Sequence, residues 1–247
     1  MKSLLKMTWI EAKLFLREPV GAFFTLIFPL MMLFLFGSIY GNVPTQYFGG
    51  RGTVDISVPA YVAMIIATTS LVGLTITMAA YREKGVLRRL RTTPVSPLVV
   101  LAAQVIVLFL MTSLGMLLLI VAGKLVYQMR FDGDAMSVII GFILCCLSFF
   151  ALGFVLAGLM PTARTAQVVG MVLLYPMLFL SGAGFPRELL PESILKISRF
   201  LPLTYVVTLL RGLWIGDSWS QHLTEVLVLL GMLVLGVILS VKTFRWE

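Results

Sequence analysis

Charge is scarce in this chain of 247 residues. Only 12% of the residues are charged whereas 60% are hydrophobic, and the mean hydropathy is +1.03. A water-soluble domain cannot bury so much apolar surface, so this composition excludes a soluble enzyme or a soluble binding module. We expect an all-α, polytopic protein in the cell (plasma or inner) membrane, forming a single transmembrane domain over residues 1–247.

Apolar runs long enough to cross a bilayer predict six transmembrane helices. A polar connection, 41–57, follows the first span. Pro29 is expected to kink the first span, and Pro176 is expected to break the fifth. The predicted spans are 20–40, 58–80, 98–122, 135–160, 165–183 and 223–241.

The opening stretch, 1–19, predicts an interfacial helix ended by Pro19. It is too charged to span a bilayer and too apolar to remain in water. A cleaved signal peptide is the alternative, but no small-residue cleavage site follows the apolar run. Four basic residues share one helical face: Lys2, Lys6, Lys13 and Arg17.

Titratable residues are missing from the interior of the predicted spans: Glu225 and His222 only border the last span, and no other Asp, Glu, Lys, Arg or His occurs in any of the six. Coupling to a proton or sodium gradient usually requires such a group at membrane depth. The pattern therefore disfavours a secondary transporter or a channel.

Catalytic and metal-binding patterns are also missing. His222 is the only histidine, Cys145 and Cys146 are adjacent within an apolar run, and the Gly123-Lys124 pair lacks the rest of a phosphate-binding loop. We expect the cysteines to pack as small apolar residues. We therefore expect no enzyme activity, no metal site and no cofactor bound by this chain, and any energy for transport has to come from a partner.

The densest block of charge is the connection 81–97, YREKGVLRRLRTTPVSP. Helical phase places Val86, Leu87 and Leu90 on one side and the basic residues around the rest, which predicts a short amphipathic helix outside the bilayer. It can dock a soluble partner, or it can rest on headgroups as an ordinary positively charged loop.

Charge also orients the six spans. The side that holds both termini carries 12 basic and 4 acidic residues, whereas the opposite side carries 7 of each. Because basic residues favour the cytoplasmic side, we expect both termini in the cytoplasm, and membrane topology explains the net charge of +8 without nucleic acid.

The connection 184–222 is too apolar for an ordinary loop. Pro186, Pro191 and Pro202 cut it into pieces too short to cross. We expect two short re-entrant helices at the outer face, with a simple interfacial lid as the alternative. Five apolar residues at helical spacing are expected to bury against spans five and six: Leu203, Val206, Val207, Leu210 and Leu213.

Three stretches resemble the permease subunits of ABC-2 type ATP-binding cassette transporters, especially small bacterial drug and lipid exporters. YREKGVLRRLRTTPVSPLVVLAAQ resembles the family's cytoplasmic segment with its coupling helix, and LSGAGFPRELLP and LPLTYVVTLLRGL resemble the two re-entrant helices. The resemblance covers essentially the whole chain. The sequence departs from the family at Thr208, where an acid is frequent, and at Tyr81 or Arg88, where Glu is frequent.

The resemblance implies an exporter of a hydrophobic or amphipathic solute, that is, a drug-like compound, a lipid or a lipid-linked glycan. Two copies of a separate cytoplasmic ATPase, which binds ATP and Mg, are expected to drive a pair of permease copies or paralogues embedded in membrane lipid. The ATPase-docking residues would be Arg82, Glu83, Lys84, Gly85, Val86, Leu87, Arg88, Arg89, Leu90, Arg91, Thr92, Thr93 and Pro94.

The same resemblance predicts pathway-lining residues and an outer gate. The pathway would include Thr68, Thr69, Thr75 and Tyr175, although these hydroxyls also suit hydrogen bonding between helices. The outer gate would include Phe185, Pro186, Pro191, Pro202, Tyr205 and Arg211. A scaffold or assembly factor that recruits a cytoplasmic protein without moving a solute is the alternative function.

Overall fold

The computed structural model of the protein describes residues 2–86, 89 and 97–243. Over these residues the chain is helical apart from its connections, and six helices are long and apolar enough to cross a membrane. The predicted all-α, polytopic architecture is therefore confirmed. The helices, in order, are α1 (Lys2–Arg17), α2 (Pro19–Ala22), α3 (Phe28–Tyr40), α4 (Thr53–Thr68), α5 (Thr75–Glu83), α6 (Pro97–Tyr127), α7 (Ala135–Leu159), α8 (Ala163–Leu180), α9 (Glu192–Ser198), α10 (Pro202–Ile215) and α11 (Leu223–Thr243).

The first two spans each contain a short π-helical segment, Phe23–Ile27 between α2 and α3, and Thr69–Leu74 between α4 and α5. Pro29 lies at the start of α3, directly after the first of these segments. The predicted break at Pro176 is wrong, because α8 continues through this residue to Leu180. A proline can be accommodated in a membrane helix when neighbouring groups take up the freed carbonyl.

The second span is longer than its apolar run, because α4 begins at Thr53 and not at residue 58. Asn42 causes the earlier start: its side-chain oxygen accepts hydrogen bonds from the backbone N–H groups of Val54 and Asp55. Asp55 in turn accepts from the Gly52 N–H at 3.1 Å. The predicted polar connection 41–57 is therefore shorter, and Asp55 is a buried acid inside a spanning helix.

Glycines on α7 and α8 bring these helices against the π-helical segment of the second span. A methyl group at Gly170 would lie 2.4 Å from the backbone oxygen of Leu71, and one at Gly153 would lie 2.8 Å from that of Ser70. Because such distances admit no side chain, α7 and α8 lie directly against the second span. Residues 53–67 of this span are all buried, so it forms the core of the fold.

Candidate functional site

The second span ends in three residues that bind other parts of the chain. The Tyr81 hydroxyl lies 2.8 Å from both carboxylate oxygens of Glu11 and donates to this carboxylate. Glu11 lies on α1, and only 2% of its surface is exposed. Burial raises the pKa of Glu11, and the Tyr81 hydrogen bond opposes that rise. This contact ties α1 to the end of the second span.

Arg82 and Glu83 bind the turn between α7 and α8. The Arg82 guanidinium donates to the backbone oxygen of Gly158 at 2.6 Å and also to that of Met160. The Glu83 carboxylate accepts from the Ala163 N–H at 2.8 Å, where the first turn of α8 leaves its N–H groups without helical partners. Both side chains thus bind backbone within the same chain, whereas the resemblance implied that they belong to a docking surface.

The connection after Glu83 turns sharply. Gly85 has a φ of +63° and its N–H donates to the Arg82 oxygen, which ends the helix of the second span. The prediction of a helix that includes Arg82 and Glu83 together with Val86 is therefore wrong, because a left-handed residue separates the two parts. Beyond this turn, the Arg89 N–H donates to the Gly85 oxygen at 3.1 Å.

The rest of the predicted docking residues lie outside the described residues, so their amphipathic arrangement stays a prediction. They are Leu87, Arg88, Leu90, Arg91, Thr92, Thr93 and Pro94.

At the other end of the spans, α9 and α10 meet at an angle of 101°. The chain is extended at Leu190 and at Leu201, as the following prolines Pro191 and Pro202 require. The Tyr205 hydroxyl donates to the Arg199 oxygen at 2.7 Å and thereby spans the bend. Of the predicted gate residues, Pro191, Pro202 and Tyr205 thus shape this bend.

One face of α10 is buried as predicted. Leu203, Val206, Val207, Leu210 and Leu213 are at most 2% exposed. The prediction placed them against spans five and six, and the contact with span six, α11, is confirmed. α10 packs mainly against α4, α11 and α7, and much less against α8, the fifth span. The longer α4 supplies part of this surface, because Ile56 and Ser57, which precede the predicted start of the span, lie beside Val207 and Arg211 of α10.

The other gate residues meet around a small cavity of about 20 Å³, enough for one water molecule. Phe185, Pro186 and Arg211 line it together with Ser57 and Tyr61 of α4. Arg211 also forms an ion pair with Glu188 at 2.5 Å. The structure therefore joins the segment 182–188 to α10 and to the start of the second span.

Arg187 lies beside this ion pair but binds a neutral residue. Its guanidinium donates to the Thr208 hydroxyl at 2.8 Å. Burial lowers the pKa of Arg187, and Glu188 opposes that effect. The stem of Arg187 lies over Gly182, where a methyl group would be 2.5 Å from the Arg187 Cγ.

His222 lies where the last span begins, close to two carboxylates. Its Nε2 is 3.2 Å from Asp217 Oδ2, and its Nδ1 is 3.8 Å from Glu225 Oε2. The ring packs directly on Gly212 of α10. Among the described residues there is no group of three or more His, Cys, Asp or Glu side chains that could hold a metal ion.

The predicted pathway residues occupy different environments. Thr69 and Thr75 are buried inside the subunit, and the Thr75 hydroxyl is 3.1 Å from the Ser70 oxygen and 3.3 Å from the Gly153 oxygen. Thr68 is partly buried, and Tyr175 is 49% exposed on α8. For Thr75 this placement matches the alternative of hydrogen bonding between helices.

Comparison with known proteins gives the context for this geometry. The model of the ABC-2 type transporter family matches residues 2–214. Nodulation protein J of Rhizobium leguminosarum bv. viciae is 33% identical over 99 residues, covering 40% of this chain and 38% of that protein. The inner membrane transport permease YhhJ of Escherichia coli (strain K12) is 24% identical over 198 residues, covering 74% of this chain and 48% of YhhJ.

A third relative matches over nearly its whole length. The putative transport permease YvfS of Bacillus subtilis (strain 168) is 25% identical over 243 residues, covering 97% of this chain and 96% of YvfS. The chain therefore spans less than half of the first two relatives and almost all of the third.

Proposed function

Because this chain belongs to the ABC-2 type transporter family, we propose that it is the membrane-spanning permease subunit of an ATP-driven exporter. It is a multi-pass membrane protein. Its solute is hydrophobic or amphipathic, its direction of transport is outward, and both termini lie in the cytoplasm. Two copies of a separate ATPase, which holds ATP and Mg, act on two permease copies or paralogues.

One observation carries this proposal: the residues that lead into the basic segment are tied to three other elements. Tyr81 binds α1, and Arg82 and Glu83 bind the α7–α8 turn. A partner that pulls on the segment after Gly85 therefore moves α1, α7 and α8 together with the second span. An ordinary solvated loop has no need of such anchoring.

The position of the titratable groups supports an external energy source. Asp55, the acid that the longer α4 brings into a span, has its carboxylate bound by Asn42 and by the N–H groups of Gly52 and Arg130. It thus stabilises the helix start and is not poised to take up an ion. Gradient coupling needs an accessible group at membrane depth, and an ATPase partner removes that need.

Docking of the ATPase is tested with the double variant Leu87→Asp, Leu90→Asp. We expect the charges to disrupt an apolar docking face, so that a tagged permease no longer retains a nucleotide-binding subunit when it is purified from its native membranes. Peptide mass spectrometry of the eluate is the measurement. Retention of that subunit by the double variant would rule out docking at this face.

Val43→Asp is the matched control, because Val43 is 69% exposed in the connection between α3 and α4, at the opposite end of the spans. We expect it to retain the ATPase at the unmodified level. The amount of each variant in the membrane fraction shows that the permease itself is inserted.

A further inference from the structure

We propose that the guanidinium of Arg187, which lies against Thr208, forms a binding site for an anionic headgroup, of the phosphate type, at the outer end of the protein. This inference rests on the proposed function and narrows the solute to amphiphiles that carry a negative group. The site is formed by the start of the segment 187–189 and by one face of α10.

The first argument is the unequal pairing of two neighbouring arginines. Arg211 has a carboxylate partner in Glu188 at 2.5 Å. The guanidinium of Arg187, in contrast, meets the Thr208 hydroxyl, and within the described part of the chain no carboxylate lies within 4 Å of it. A partly buried cation with only a neutral partner favours an anion nearby, because burial weakens its hydration.

The second argument is the local charge. Arg187 interacts electrostatically with Arg199 and Arg211 and with Glu188 and Glu225. Three cations thus face two anions, and Glu188 is already paired with Arg211. One negative charge would balance the group, and a guanidinium binds phosphate oxygens through several hydrogen bonds at once.

The third argument is that the backbone makes room for the arginine. Gly182 has a φ of +93°, and a side chain there would collide with the stem of Arg187. Thr208 is itself held, because its hydroxyl donates to the Thr204 oxygen at 2.8 Å. The guanidinium is therefore fixed in place before any ligand arrives.

The fourth argument is the surface that leads to the site. Along α8, exposed apolar side chains recur at helical spacing, at Val168, Val172, Tyr175 and Phe179. This apolar stripe ends just before the chain turns at Gly182 toward Arg187. A hydrocarbon tail on the stripe and a negative headgroup at Arg187 would together match an anionic amphiphile.

The test measures headgroup binding by the purified permease in nonionic maltoside micelles, without ATPase or nucleotide. Dodecyl phosphate is the anionic probe, and dodecylphosphocholine is the zwitterionic probe with the same tail. Native mass spectrometry counts the retained molecules. We expect the unmodified permease to retain dodecyl phosphate at least about tenfold more tightly than dodecylphosphocholine, the factor that one charge-assisted contact provides.

Three substitutions separate binding from a structural role. Arg187→Gln removes the cation and should abolish the preference. Thr208→Asp supplies an internal carboxylate and should abolish it too, although the arginine remains. Thr208→Val removes the hydroxyl but leaves the cation, and should retain the preference. Lys196→Gln, at an exposed basic residue on α9, is the matched control and should also retain it.

The results separate this inference from its competitors. The inference is wrong if the unmodified permease shows no preference for dodecyl phosphate, or if Thr208→Val loses the preference although the Arg187 cation remains. It is equally wrong if Thr208→Asp binds dodecyl phosphate as well as the unmodified protein. Thr208→Asp and Thr208→Val keep the test decisive even where Arg187→Gln fails to fold.

A second arm identifies the source of the headgroup. In nanodiscs of phosphatidylcholine, binding of dodecyl phosphate that survives the addition of phosphatidylglycerol assigns the site to an exported solute. Displacement by phosphatidylglycerol assigns it to a resident membrane lipid. Because no step requires an ATPase, failure of the docking experiment leaves this result intact, and failure here leaves the docking result intact.

Discussion

Glu11 is a carboxylate that α1 turns toward the protein, on the face opposite its exposed lysines Lys6 and Lys13. Tyr81 supplies the hydrogen bond that this buried group needs. We predict that Tyr81→Phe lowers the free energy of unfolding by about 1–3 kcal/mol near neutral pH, the cost of leaving a buried acceptor without its donor. Thermal unfolding in detergent measures the effect.

The pH dependence of this variant follows from the raised pKa of Glu11. A group whose pKa is higher in the folded state than in the unfolded state binds a proton preferentially in the folded state. The free-energy cost of burying its charged form therefore decreases as the pH falls. Loss of the Tyr81 hydrogen bond raises the pKa further. The deficit of Tyr81→Phe should therefore shrink as the pH falls from neutral and Glu11 takes up its proton, whereas in a Glu11→Gln background the phenylalanine should show no such recovery. A deficit that stays constant over this range would contradict the assignment.

Burial at single residues was predictable from the sequence in α10, but the hydrogen-bond partners of two buried acids were not. The apolar side of α10 was predictable residue by residue, because burial there follows helical spacing and each proline marks a break. The partners of Glu11 and Asp55 were not predictable. Tyr81 is 70 residues away from Glu11, and no periodicity links an acid to a hydrogen-bond donor so distant in the chain.

At the scale of whole helices, length and apolarity identified all six spans, but one boundary depended on a contact. Asn42 starts α4 five residues before the apolar run begins, by accepting from N–H groups that a helix start leaves free. A cap supplied from outside the helix has no local signal. The same applies to the turn at the end of the second span, which Arg82 and Glu83 fix against the α7–α8 connection.

The packing of α8 against the second span gives a prediction for these elements. We expect Gly170→Ala to lower the free energy of unfolding by about 1–3 kcal/mol, because its methyl group would lie 2.4 Å from the Leu71 backbone oxygen and backbone cannot yield as a side chain does. Thermal unfolding in detergent is again the measurement. Gly231→Ala on α11 is the control, since nothing lies within 4 Å of its added methyl group. Equal stability of the two variants would mean that α8 does not approach the second span so closely.

Taken as a whole, the molecule gathers its connections at two ends. At one end, Arg51 of the α3–α4 connection binds Asp132 of the α6–α7 connection at 2.8 Å. Arg51 also binds the backbone oxygen of Ile215, the last residue of α10, at 3.1 Å. Glu11, the residues after Tyr81 and the α7–α8 turn meet at the other. A chain that crosses the membrane six times has this arrangement, because every second connection between spans lies on the same side of the membrane.

Which end faces the cytoplasm is a prediction from charge, and single cysteines test it. With Cys145 and Cys146 replaced by alanine, cysteines placed at Tyr47, Ser193 and Ser220 should react with an impermeant maleimide added outside intact cells, because all three side chains are exposed. A cysteine at Thr165, exposed beside the α7–α8 turn, should react only after the membrane is opened. Basic residues retained on the cytoplasmic side set this orientation. Labelling of Thr165→Cys from outside, with protection of the other three, would mean that the orientation is reversed. Labelling of Ser193→Cys and Ser220→Cys from opposite sides would make α9 and α10 a seventh span.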